Sequence, residues 1–169
     1  NSVSLSANWM WPCKNPGEDA RLYSAVEACS DFACNLGINI PTGKDSLSMT
    51  QKYEKEQVYS PGTVIISAAG EVSNIKKIVS PVLAYIKGTY LYYIDFSFDS
   101  FKLGGSAFAQ TLNKVGEEVP TVTDSEYFKN AFAAVQELIN RGLVLAGHDV
   151  SAGGLVTAML EMCFANPHG

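Results

Sequence analysis

Residues 148–154, His-Asp-Val-Ser-Ala-Gly-Gly, place an acidic side chain beside small residues in an arrangement that suits a phosphate ligand. An apolar, strand-like run precedes them at 143–146, and apolar residues at helical spacing follow at 155–164. Backbone N–H groups at the start of a helix favour anions, and the Asp149 carboxylate suits the metal ion that accompanies a polyphosphate. The segment therefore predicts a phosphate and metal site. A helix cap with a tight turn is the alternative that explains the same residues.

A second polar segment, Pro-Thr-Gly-Lys-Asp-Ser-Leu-Ser-Met at residues 41–49, invites comparison with a P-loop. A Walker A loop has four residues between its glycines and a Ser or Thr after its Lys. Here five residues separate Gly37 from Gly43, and Asp45 follows Lys44. Because an Asp repels phosphate unless a divalent cation lies between them, a nucleotide role for this segment requires a bridging metal. A solvated turn before a strand fits the local sequence equally well.

The first half of the chain contains patterns that would position the second segment. Residues 2–11 are apolar and aromatic without a clear period. Apolar residues then recur at intervals of three or four from 22 to 36, which predicts a helix, and Gly37 is placed to end it. Two strands are expected at 47–53 and 63–69, the second of them buried because it is rich in β-branched residues.

The second half alternates strand and helix patterns. We place a domain boundary near Tyr85, so the predicted domains are 1–85 and 86–169. Mixed alternation of this kind favours layers of sheet covered by helices, an α+β fold, over an all-β fold or a helix bundle. The elements expected after the boundary are a strand at 90–96, helices at 107–115 and 125–141, a strand at 143–146 and a helix at 155–164.

Composition limits the kind of partner that the chain can bind. It has 169 residues, of which 47% are hydrophobic, and a formal charge of −5 with no run of basic residues. Nucleic acid and membrane are therefore not expected as partners. No apolar stretch approaches the roughly 20 residues that span a bilayer, so a cytoplasmic location is expected. We also expect an excised piece of a longer protein, because the chain begins at Asn1 without Met.

Five segments carry a resemblance to a known family. They are Ser-Ala-Asn-Trp-Met at 6–10, Gly-Glu-Asp-Ala at 17–20, the segment 41–49, Leu-Gly-Gly-Ser at 103–106 and the segment 148–154. In this order they resemble successive motifs of the phosphoribosylformylglycinamidine synthase family in its large, single-chain form. That form joins two tandem ATP-binding halves of the aminoimidazole ribonucleotide synthetase (PurM-like) type to a glutaminase. The resemblance implies that 1–85 closes the second N-terminal-type subdomain and that 86–169 begins its C-terminal-type partner.

The resemblance implies a ligase of purine biosynthesis. Such an enzyme converts formylglycinamide ribonucleotide, glutamine and ATP to formylglycinamidine ribonucleotide, ADP, phosphate and glutamate. Within such an enzyme, the partners of this region are the first half and the glutaminase of the same chain. The glutaminase nucleophile is a Cys of a separate domain, and turnover occurs at a site assembled mainly by the first half. No catalytic residue is therefore expected here, and the piece alone should be inactive. Four cysteines without CxxC or zinc-ribbon spacing are expected to be reduced structural thiols: Cys13, Cys29, Cys34 and Cys163.

By the same resemblance, Asp149 matches an aspartate that binds Mg²⁺, and Ser151 matches a serine that contacts nucleotide. This second site holds ADP as a structural element in the large form. Lys44 and Asp45 match a loop that faces the catalytic ATP, which makes them nucleotide-binding candidates. Ala152 replaces an acidic residue that is common in the family and removes one candidate supporting ligand.

Two further interpretations of the chain remain open. The region could be a packing module that keeps only the shapes of ancestral loops, without binding nucleotide. A sister enzyme of the same fold, such as selenophosphate synthetase or thiamine monophosphate kinase, is another alternative. For His148, beside Asp149, we expect an orienting or capping role and not that of a general base.

Overall fold

In the computed structural model, which describes residues 3–166, the chain divides into two units after Ser73. The first unit is Asn1–Ser73 and the second is Asn74–Gly169. Residues 1–2 and 167–169, at the ends of the two predicted domains, lie outside the described residues. The predicted boundary near Tyr85 falls inside the second unit and stays a prediction.

The first unit is organised around a parallel pair of strands. Strand β1 (Ser4–Met10) is followed by helix α1 (Glu18–Leu36), and β2 (Asn39–Ser46) then returns parallel to β1. A parallel pair needs a crossover connection, and α1 supplies it. The helix ends where the sequence predicts, because Gly37 adopts a left-handed conformation with φ 71° and its N–H donates to Cys34 O.

Three further strands complete this unit. Strands β3 (Thr50–Lys52) and β4 (Gln57–Tyr59) form a hairpin, and β5 (Thr63–Ala69) pairs antiparallel with β1 at the other edge of the three-stranded sheet. The predicted strand at 63–69 is therefore confirmed. Its predicted burial is wrong, since Ile65 is 51% exposed and β5 is exposed from Val64 onward. The β-branched composition reports fitness for a strand and not whether a second layer covers it.

Gly43 lies within β2 and not in the predicted turn. It pairs with Ala7 of β1, and a Cβ added at this position would lie 2.3 Å from the Ala7 carbonyl oxygen. Glycine inside a strand commonly marks such a close approach of another backbone. The glycine that suggested a phosphate loop is thus explained by packing of the two strands.

Helices supply the regular secondary structure in the described part of the second unit. A short 3₁₀ turn (Ile75–Lys77) is followed by α2 (Ala107–Thr111), α3 (Ser125–Asn140) and α4 (Gly154–Phe164). Asp124 caps α3 by accepting a hydrogen bond from Tyr127 N at 2.9 Å. The predicted helices at 125–141 and 155–164 are confirmed, whereas the predicted helix at 107–115 ends at Thr111. No described helix of either unit is long and apolar enough to cross a membrane.

The two strands predicted for the second unit are wrong. Residues 90–96 and 143–146 form no β-structure, and the described part of this unit contains no sheet. A strand forms only where a neighbouring strand satisfies its N–H and C=O groups, and a strand-like sequence cannot by itself supply that neighbour. Tyr90 is accordingly 81% exposed. The α+β class holds, because α1 and the sheet of the first unit occur together with the helices of the second.

Replacing Gly43 with Ala is expected to destabilise the protein by about 1–3 kcal/mol, because the new Cβ would collide with the Ala7 carbonyl oxygen. The free energy of unfolding, measured by urea denaturation, tests this. Thr42→Val, at an exposed position of the same strand, is the control and should change that free energy by less than about 0.5 kcal/mol. A Gly43→Ala protein as stable as the control would contradict the close approach of β1 and β2.

Candidate functional site

The segment 148–154 forms a loop that leads into α4. The side chain of Asp149 is 91% exposed, whereas that of the neighbouring His148 is only 20% exposed. The hydroxyl-bearing residue Ser151 is also exposed. The loop therefore presents a carboxylate and a hydroxyl to solvent and holds an imidazole against the protein.

Two contacts fix the His148 ring. Its Nδ1 lies 2.7 Å from the backbone oxygen of Asp149, and its Nε2 lies 3.1 Å from Oε2 of Glu161 on α4. Both partners are acceptors, so both hydrogen bonds form when the ring carries two protons. The Asp149 carboxylate is farther away, with Oδ1 3.4 Å from Nδ1. These contacts agree with the orienting role expected for His148.

Glu161 is a residue of this site that the sequence reasoning missed. A signal was present, because Glu161 is the only charged residue of α4, whose whole length is described. The spacing of apolar residues identifies the helix but does not predict which loop its single carboxylate will contact.

Two further bonds fix the later part of the loop. The carbonyl oxygen of Ala152 accepts the N–H of Ala107 at 3.0 Å, and the carbonyl oxygen of Gly153 accepts the Thr157 hydroxyl at 2.8 Å. Ala107 begins α2 directly after the Leu-Gly-Gly-Ser motif. The structure thus brings together two of the motifs recognised in the sequence, 103–106 and 148–154.

The Leu-Gly-Gly-Ser motif is shaped to begin α2. Ser106 caps the helix by accepting the N–H of Ala109 at 3.1 Å, and Gly105 has a φ of 75° that favours glycine. A Cβ at Gly104 would lie 2.4 Å from the Glu118 carbonyl oxygen. Local geometry accounts for these three residues without a ligand.

The donor set around Asp149 suits a metal that is shared with a phosphate. Mg²⁺ prefers oxygen ligands and is commonly held by one or two carboxylates together with phosphates and water. An exposed carboxylate on a fixed loop meets that requirement. Within residues 3–166 no group of three His, Cys, Asp or Glu side chains is arranged to hold a metal. The described residues therefore fit one ligand of a phosphate-bridged Mg²⁺ and not an all-protein cage.

In the first unit, Lys44 and Asp45 lie next to each other in β2. Successive side chains of a strand point to opposite faces, so these two do not share a face. Lys44 Nζ donates to Ser46 Oγ at 2.6 Å. Both residues border an open groove of about 520 Å³ that also includes Trp9 of β1. An ammonium group at the edge of such a groove suits an anionic ligand.

Acidic neighbours influence a thiol close to β2. Burial is the largest cause that raises the pKa of Cys13, and Asp19, Glu18 and Asp45 raise it further. A raised pKa keeps the thiol protonated and unreactive, in agreement with the structural role expected for it. All four cysteines are free, and Cys34 is the exposed one among them.

The segment before the Leu-Gly-Gly-Ser motif carries two perturbed carboxyl groups. The side chain and the backbone N–H of Ser97 donate to Asp95 at 2.7 and 2.9 Å, and these bonds lower the pKa of that carboxyl. The Lys102 ammonium donates to Asp99 at 2.6 Å and is the largest cause of a lowered pKa there. Tyr127 of α3 donates to the Asp95 backbone oxygen at 3.0 Å, which anchors the segment on the helix.

Comparison with known proteins finds family models and relatives that are similar to this chain. Residues 1–71 match the model described as "FGAR-AT PurM_N-like domain", and residues 97–169 match "AIR synthase related protein, C-terminal domain". The chain is 41% identical, over 96% of its length, to "Probable phosphoribosylformylglycinamidine synthase" of Caenorhabditis elegans. The chain is therefore similar, over nearly its whole length, to part of a phosphoribosylformylglycinamidine synthase.

A plant member of the family is equally similar. "Probable phosphoribosylformylglycinamidine synthase, chloroplastic/mitochondrial" of Arabidopsis thaliana is 43% identical over 100% of the chain. The chain spans about an eighth of the length of these relatives, 13% of the Caenorhabditis elegans protein and 12% of the Arabidopsis thaliana protein. The resemblance seen in the motifs is thereby confirmed, as is the PurM-like α+β fold class.

Ser97→Ala is expected to make the stability of the protein depend less on pH in the acidic range. A carboxyl whose pKa is lowered by folding stabilises the folded state above its unfolded pKa, and this stabilisation is lost as the pH falls through the folded pKa. Without the Ser97 hydroxyl, the pKa of Asp95 should move back towards its usual 3.8. Wild type should therefore be more stable than Ser97→Ala near neutral pH, and the difference should shrink below pH 3.8.

Urea unfolding at neutral pH and below pH 3.8 measures this difference. Ser80→Ala, at an exposed serine of the second unit, is the control and should show no change in pH dependence. A difference between wild type and Ser97→Ala that stays constant across the two conditions would argue against the bond to Asp95.

Proposed function

We propose that the full-length protein carrying this chain is an ATP-dependent amidoligase of purine biosynthesis. It converts formylglycinamide ribonucleotide, glutamine and ATP to formylglycinamidine ribonucleotide, ADP, phosphate and glutamate. The observation that carries this proposal is the 41–43% identity, over nearly the whole chain, to relatives named phosphoribosylformylglycinamidine synthase. An amide oxygen is a poor leaving group, so ATP activates it as a phosphate ester before ammonia displaces it. Such a transfer relies on positioning and on neutralisation of charge.

The second unit contributes an auxiliary Mg²⁺–nucleotide site in this proposal. Asp149 would hold Mg²⁺, which would supply neutralisation of phosphate charge when bound. The exposed Asp149 carboxylate supplies one oxygen ligand, and the exposed Ser151 hydroxyl is placed to contact the nucleotide. The remaining ligands come from phosphate, from water and from other parts of the protein. Support comes from a backbone that is fixed around a side chain left open to solvent.

Lys44 and Asp45 contribute to the catalytic ATP site in the same proposal. The Lys44 ammonium borders the open groove and suits a phosphate, whereas Asp45 needs an intervening cation to approach one. No described residue is assigned a role in bond making or breaking, and the glutaminase belongs elsewhere in the chain. Placement in the second of the two halves is part of the proposal. A cytoplasmic location is proposed as well, although the Arabidopsis thaliana relative is named as chloroplastic/mitochondrial.

A packing module without ligand is the competing proposal. It is favoured by the glycines of the motifs, because Gly43 and Gly104 are each required by a close backbone contact. Under this proposal the exposed side chains of Asp149 and Lys44 have no ligand, and their replacement leaves nucleotide binding unchanged. The two variants described next distinguish these alternatives.

Asp149→Asn in the full-length protein is expected to abolish retention of tightly bound nucleotide, because the amide lacks the charge that holds Mg²⁺. The amount of ADP released on denaturation, per protein molecule, is the measurement. Glu117→Gln, at an exposed carboxylate of the same unit, is the control and should retain the nucleotide of wild type. Unchanged ADP in Asp149→Asn would sink the auxiliary-site assignment and favour the packing module.

Lys44→Met is expected to raise KM for ATP by about 10- to 100-fold, because hydrogen bonds to charged groups contribute about 1.5–3 kcal/mol. Retained ADP should stay at the wild-type amount, since Lys44 is not part of the auxiliary site. Steady-state kinetics with varied ATP provides the measurement. Lys52→Met, at an exposed lysine of β3, serves as the control. A KM equal to that of the control would remove Lys44 from the ATP site.

A further inference from the structure

Glu161 stands out because it is a single charged residue in an apolar helix. The rest of α4 contains aliphatic, aromatic, sulfur-containing and small residues, of which Ala158 and Met162 are buried. Glu161 itself is about half-exposed, and its carboxylate contacts the imidazole of His148. A charge in this position has a specific partner, so solvation alone does not explain it.

The contact links α4 to the backbone of Asp149. His148 Nε2 lies 3.1 Å from Glu161 Oε2, and the other ring nitrogen lies 2.7 Å from the Asp149 backbone oxygen. A carboxylate that accepts from Nε2 fixes the rotation of the ring and so directs Nδ1 at that oxygen. Glu161 thereby restrains the peptide group of Asp149 through one intervening side chain.

The other restraints on the loop act beyond Asp149. Ala152 is held by the first N–H of α2, and Gly153 is held by the Thr157 hydroxyl. Just before the loop, the Gly147 N–H donates to the Ser80 backbone oxygen at 3.1 Å. Between that bond and Ser151, the bridge from Glu161 through His148 is the side-chain contact that reaches the described backbone. Because the Asp149 side chain is 91% exposed, packing does little to fix its direction, and the backbone geometry has that task.

We propose that Glu161 is a positioning residue for the metal ligand Asp149 and acts through His148. The proposal rests on the proposed auxiliary Mg²⁺–nucleotide site, whose ligand it orients. Glu161 does not touch the metal or the nucleotide. It limits the positions that the Asp149 peptide can adopt and so lowers the cost of ordering the loop when a ligand binds.

The test measures Mn²⁺ binding to the full-length protein with ADP present, by electron paramagnetic resonance. The relevant sites are the class of Mn²⁺ sites that Asp149→Asn abolishes. Glu161→Ala is expected to weaken these sites by about 10- to 100-fold, the usual effect of losing a group that orients a metal ligand. Glu161→Gln should retain much of the affinity, because its amide oxygen still accepts from Nε2. Glu137→Ala, at an exposed glutamate of α3, is the control and should bind as wild type does.

Rescue by Gln and the double variant separate positioning from a general loss of stability. A protein that binds Mn²⁺ less well only because it is less folded would lose all classes of Mn²⁺ sites together. Positioning predicts loss of the Asp149-dependent class alone, and no further loss when Glu161→Ala is added to Asp149→Asn. If Glu161→Ala does not fold, the same comparison is made between Glu161→Gln, which keeps an acceptor for Nε2, and His148→Gln, which removes the ring.

The outcomes distinguish the two proposals. If Asp149→Asn removes no class of Mn²⁺ sites, the auxiliary site is wrong and the positioning role falls with it. If Asp149→Asn removes such a class but Glu161→Ala leaves its affinity unchanged, only the positioning role is overturned. Selective weakening by Glu161→Ala, with recovery in Glu161→Gln, supports both.

Discussion

Close approach between two stretches of backbone is the constraint on which both units depend. In the first unit a Cβ at Gly43 would lie 2.3 Å from the Ala7 carbonyl oxygen, and in the second a Cβ at Gly104 would lie 2.4 Å from that of Glu118. Packed backbone cannot shift cheaply to make room for a side chain. Glycine in two of the family motifs is therefore explained by the packing of backbone against backbone.

The loop at 148–154 combines a fixed backbone with an open side chain. Hydrogen bonds from His148, Ala107 and Thr157 restrain its backbone along its length, while the Asp149 carboxylate stays in solvent. A metal ligand benefits from both properties, because a fixed position reduces the entropy lost on binding and exposure gives access to phosphate and water.

The sequence motifs identified the candidate site residues but not the geometry in which they are placed. Lys44 and Asp45 are adjacent in the sequence, but as neighbours in β2 they point to opposite faces. Asp149 and Ser151 stay candidates because the loop exposes both. Glu161 was not predicted, since its contact with His148 exists only once α4 has folded beside the loop.

Local patterns determined the helices and the family. The sequence predicted α1, α3 and α4 because helical hydrogen bonds join residues four apart. The spacing of apolar residues and the capping residues, such as Gly37 after α1, therefore define each helix within its own segment. Strands depended on residues far away in the chain. Strand β1 has no clear period, Gly43 was expected in a turn, and residues 90–96 resemble a strand but form none. Tertiary structure alone decided these cases, because a strand exists only when another strand lies beside it to complete its hydrogen bonds.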